Sequence, residues 1–136
     1  MFFKEKKNQN KDYDISKVAA LLIHAAKIDE NYSKDEEKII ELALLKIGAN
    51  NQNIKRIIEE GKKIEENSNQ ILDFTREVKS MDESKKIRII ETLWQIIYSN
   101  KEADIYETNL MRRLAGLLYI DNKIMGDIKD KIKKNS

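Results

Sequence analysis

The chain has no cysteine and no proline, only four glycines, one histidine and one tryptophan. Without cysteine, disulfides, thiolate catalysis and sulfur-ligated metal centres are excluded. A lone histidine, His24, cannot assemble a zinc tetrad, and no local partner gives it a histidine-based catalytic role. The missing prolines and scarce glycines favour long uninterrupted helices over a turn-rich β architecture. No phosphate-cradling glycine loop and no serine-nucleophile motif is present, so no enzyme activity is expected. No segment approaches the roughly 20 apolar residues needed to span a bilayer, and the first residues lack the features of a signal peptide. A cytoplasmic protein without a membrane span is the default expectation.

What is present balances closely. Lys and Arg total 26 against 24 Asp and Glu, a net charge of +2 that gives no electrostatic footprint for nucleic acid. Hydrophobic residues make up 40% and charged residues 37% of 136, as in a single globular domain with a charged surface. The expected division is a flexible N-terminal segment over 1–13 and a helical domain over 14–136.

Hydrophobic spacing then divides that domain. Asp14 can cap a first helix carrying Ile15, Val18, Ala19, Leu21, Leu22, Ile23, Ala25 and Ala26, interrupted only by a stripe of Lys17, Ala20, His24 and Lys27. Ser33 and Glu36 form a capping box for a second helix, with Ile40, Ala43, Leu44 and Ile47 inside and Gly48 as its stop. A third helix presents Ile54, Ile57, Ile58, Gly61 and Ile64, and a fourth, after Ser68, presents Phe74, Thr75 and Val78. Asp82 opens a fifth with Ile89, Ile90, Leu93, Trp94, Ile96 and Ile97, and a polar stripe of Arg88, Glu91, Gln95 and Tyr98. A sixth after Asp104 carries Leu110, Met111, Leu114, Ala115 and Leu118, and Asp121 can cap a short seventh. The expected fold is all-α: a single-domain bundle of about seven helices with the first and fifth at its centre and Trp94 as a core anchor.

A short acidic signature occurs twice, between the first and second helices and again between the fifth and sixth. Asp29 to Glu36 and Asn100 to Glu107 align at one offset (104 − 33 = 71), which pairs Ser33 with Asp104 and Glu36 with Glu107. The two stripes share that offset, so the bundle reads as a duplicated helix–acidic turn–helix unit. Asp29, Asn31, Ser33 and Asp35 alternate as the early ligands of a calcium loop do. An EF-hand, however, requires glycine at its sixth position and glutamate at its twelfth. Lys34 and Ile40 stand there in the first turn, Ile105 and Met111 in the second. A looser hard-cation site is what the residues allow, for calcium or magnesium, built from Asp29, Glu30, Asp35 and Glu36. The second turn, with Glu102, Asp104 and Glu107, is weaker because Lys101 adds a repelling ammonium. The competing expectation is that both turns serve only to cap helices.

The chain resembles the TerB-like family, associated with tellurite resistance and related to the N-terminal domain of the co-chaperone DjlA. Three stretches carry the resemblance. Ala25-Ala26-Lys27-Ile28-Asp29 through Glu36, and Leu93-Trp94-Gln95-Ile96-Ile97-Tyr98 through Glu107, look like the family's two A-D-G-E-x-D-x-x-E turns after an apolar helix. Arg112-Arg113-Leu114-Ala115-Gly116-Leu117-Leu118 looks like its R-R-I-A-x-L-L closing segment. Glu30 and Lys101 depart from the family's glycine, and Ser33 and Asn100 from its aspartate. The resemblance implies a non-enzymatic, stress-associated helical domain whose acidic turns bind a metal or a partner protein. The alternative is an adaptor whose helix faces dock another protein, with no metal binding.

Overall fold

The computed structural model describes the backbone of residues 2–27, 33–68, 72–99 and 105–135. Among these residues lie seven helices and no strand: α1 (Phe2–Lys27), α2 (Lys34–Ile47), α3 (Ile54–Glu66), α4 (Leu72–Lys79), α5 (Glu83–Tyr98), α6 (Ile105–Leu117) and α7 (Asn122–Asn135). The all-α bundle expected from the hydrophobic spacing is the fold observed.

Two helices hold it together. α1 packs against α2, α3, α4 and α5, while α5 packs against α1, α2 and α7. One contiguous core cluster results, with Leu22, Leu44, Ile57, Phe74, Leu93 and Leu114 among its buried members. Trp94 is 2% exposed and stacks on Tyr98, ring centroids 5.8 Å apart.

Two expectations change. Asp14 was expected to cap the first helix, but α1 already runs from Phe2, so Asp14 lies inside it. Residues 2–13 contain no proline or glycine to stop a helix from extending backward. Ala20 and Tyr98, placed on polar stripes by spacing, are both buried. From Val18 to Ile23 every residue of α1 is fully buried, because α3 closes the side that the stripe would have left open. Gly61 permits that closure. A Cβ at Gly61 would come within 2.7 Å of Ala19 Cβ, 3.1 Å of Ser16 O and 3.2 Å of Ala20 N.

Helix ends follow local chemistry. Asp82 caps α5 by accepting from Lys85 N at 2.9 Å, and Asp121 accepts from Lys123 N at 2.7 Å at the start of α7. α2 stops at Gly48, whose φ of 143° suits a residue without a Cβ, and Ala49 N then donates to Leu44 O. α6 ends in a Schellman arrangement: Tyr119 has φ 56°, its N–H reaches Gly116 O, and Ile120 N donates to Ala115 O. Gly48 and Tyr119 are 71 positions apart (119 − 48 = 71), as are the two closing bonds. The likeness extends to buried pairs such as Leu22 with Leu93 and Ile47 with Leu118. It concerns helix packing and helix endings. The second acidic turn lies outside the described residues, and the duplication of the turns is not thereby shown.

Candidate functional site

The first acidic turn joins α1 to α2. Ser33 precedes α2 in extended conformation, with φ −98° and ψ 165°. Its hydroxyl oxygen accepts from Glu36 N at 3.1 Å, while its own N–H donates to Glu36 Oε1 at 3.0 Å. The hydroxyl also lies 3.1 Å from that same oxygen. Both halves of the capping box read from the sequence are therefore present. Glu36 is 1% exposed, so its carboxylate works inside the protein and fixes where α2 begins. Asp35 beside it is exposed.

α3 braces the turn from both ends. On the α1 side, Lys27 Nζ lies 3.0 Å from Glu65 Oε2, and His24 Nδ1 lies 3.5 Å from Glu65 Oε1. Lys27 is the last residue of α1, so the clasp holds the point where the chain enters the turn. His24 also packs its ring 5.8 Å from that of Phe74. On the α2 side, Lys62 Nζ lies 3.2 Å from Glu37 Oε1 and 3.5 Å from Glu59 Oε1. Burial acts to lower the affinity of Lys62 for its proton. The hydrogen bond and charge of Glu37, helped by Glu59, outweigh that, and its pKa is raised. Glu37 thus belongs to an ion pair between helices.

Of the four residues read as a cation set, Asp35 and Glu36 are placed at the start of α2. Asp29 and Glu30 lie outside the described residues, as do Glu102 and Asp104 of the second turn. Glu107 falls in α6, with its side chain outside the described residues. Among the described residues, no group of three or more histidine, aspartate or glutamate side chains is arranged to hold a metal ion. No helix among them is long and apolar enough to cross a membrane.

Sequence reasoning found the capping box but missed Lys62 and Glu65. Both are charged residues of α3, and nothing in local spacing separates a bracing residue from a solvated one. A second feature also escaped it. Trp94, Met111, Arg112, Met125, Gly126 and Lys129 help line a cleft of about 200 Å³ between α5, α6 and α7.

The comparisons with known proteins bear on the whole bundle. The family model described as tellurite resistance protein TerB matches residues 16–130, from within α1 to within α7. Comparison with curated proteins and with solved structures gave no match. A match across most of the chain, on a fold of the expected class, places it: the chain belongs to the TerB family.

Proposed function

We propose that the chain is a non-enzymatic domain acting in tellurite resistance or a related stress response, with the first acidic turn as its binding surface. The family supports the setting. The observation that carries the surface is the double brace from α3, in which Glu65 holds the end of α1 and Lys62 holds the start of α2. Such a brace fixes the two points between which the acidic turn hangs. A turn with anchored ends loses less conformational entropy on binding than a free loop does.

The ligand is a divalent cation or a basic partner protein. Carboxylate oxygens select calcium or magnesium over softer metals. Asp29, Glu30 and Asp35 would supply the charge, with Glu36 setting the helix start from within. Titration with calcium and then magnesium, followed by amide NMR, tests the cation. The expected outcome is saturable shifts at residues 29–37 by millimolar metal, abolished by Asp29→Asn with Glu30→Gln. Unmoved amides across both turns would remove the cation from the proposal.

A second reading has its own support. Glu36 and Glu37 are both engaged by the protein's own groups, as expected of an adaptor whose turns serve only to cap and brace. Under that reading the same double substitution leaves capture of any protein partner unchanged.

A further inference from the structure

We propose that the cleft between α5, α6 and α7 is a binding site for a small carboxylic acid with an apolar body. It is remote in sequence from the first acidic turn and does not depend on the reading given to that turn.

Glycine carries the first part of the argument. Gly61 has a packing reason to be glycine, since any Cβ there would collide with α1. Gly126 has none. A Cβ built on it meets nothing within 4 Å, and its backbone does not adopt a positive φ. Yet it lies within α7, where glycine costs about 1 kcal/mol relative to alanine. Gly116 likewise meets nothing, but it is next to the last residue of α6, where a helix is already ending. What distinguishes Gly126 is that it lines the cleft and keeps that wall open.

The chemistry of the lining carries the second part. Trp94, Met111 and Met125 supply apolar walls, and Arg112 and Lys129 supply two cations. Among the described residues that line it there is no carboxylate, and neither cation has an acidic partner among the described residues. Lys129 Nζ is held over the indole of Trp94, 5.5 Å from the ring centroid, within the range of a cation–π contact. An ammonium fixed in this way is partly preorganised for an anion, and the Arg112 guanidinium offers the planar fork that fits a carboxylate. A volume of about 200 Å³ is below that of an ordinary drug-sized pocket, which restricts the ligand to a small aromatic or short aliphatic acid.

Trp94 is the only tryptophan, so its emission reports this cleft alone. Benzoate is the probe, titrated into the full chain at constant ionic strength, with benzamide as a neutral isostere and acetate as a carboxylate without an apolar body. The expected result is a saturable change with benzoate, at a Kd on the order of 1 mM or below, and a weaker response to both controls. Arg112→Gln and Lys129→Gln should each weaken benzoate by about tenfold, the effect of one charge-assisted hydrogen bond. Gly126→Leu should abolish binding while leaving the melting temperature unchanged or higher, because its side chain enters open space. Three results would overturn the proposal: no saturable response to benzoate, equal affinity for benzamide, or undiminished binding by a folded Gly126→Leu protein.

Discussion

At the scale of single residues, the clearest case is Ser33. Its hydroxyl accepts from Glu36 N and its N–H is bound in return, so Ser33→Ala removes one of two reciprocal caps. The expected loss is about 1 kcal/mol in urea unfolding, without change in the m-value. Trp94 is a different kind of residue. Its ring is buried, yet its Nε1 is sealed from solvent without a hydrogen-bond acceptor among the described residues. Trp94→Ala should destabilise by roughly 3–5 kcal/mol, as expected of a large aromatic removed from a packed core. Trp94→Phe loses some volume but also removes the unsatisfied donor, so its loss should be no more than about 1.5 kcal/mol. Far-UV circular dichroism follows both variants, since neither retains the fluorophore. A Phe variant as unstable as the Ala variant would mean that the N–H is satisfied after all.

At the scale of helices, capping was legible and helix limits less so. Asp82, Asp121, Ser33 and Gly48 each do what their residue type and position announced. Such bonds are local, spanning a few residues, and sequence contains everything they need. Asp14 misled because a good cap residue preceded by helix-tolerant residues does not mark where a helix begins. The α5 cap also has a consequence for pH. The Lys85 N–H and then the Ser84 hydroxyl stabilise the charged form of Asp82, holding its carboxyl below its ordinary value of 3.8. A depressed folded-state pKa means the cap contributes fully above the ordinary carboxylate range. That contribution is lost as pH falls through the lowered value. Asp82→Asn should therefore flatten the acid limb of the stability curve, read as a smaller drop in melting temperature as pH falls from neutral to below the ordinary carboxylate value of 3.8. A parallel curve for the variant would remove Asp82 from that limb.

At the scale of the whole molecule, the seam between α1 and α3 does the most to organise the bundle. It encloses α1, buries Ala20, and brings Glu65 and Lys62 to the two ends of the acidic turn. Gly61→Ala tests it. A Cβ 2.7 Å from Ala19 Cβ, with backbone atoms of Ser16 and Ala20 next nearest, cannot be accommodated by moving one flexible side chain. Despite alanine's better helix propensity, the expected outcome is a net loss of about 1–3 kcal/mol, seen as a lower midpoint in thermal unfolding. A stabilised variant would show that the two helices separate cheaply. The sequence by itself determined the helical class, the two central helices, the capping box at Ser33 and the family. All of these follow from apolar periodicity, from caps spanning a few residues and from the order of short motifs. Only the tertiary structure decided which of the many surface charges matter. Glu65, Lys62, Arg112 and Lys129 look like ordinary solvated residues until helices distant in sequence are brought beside them. The physical reason is one of range: caps and periodicity are written within a single helix, whereas a brace or a cleft exists only between helices.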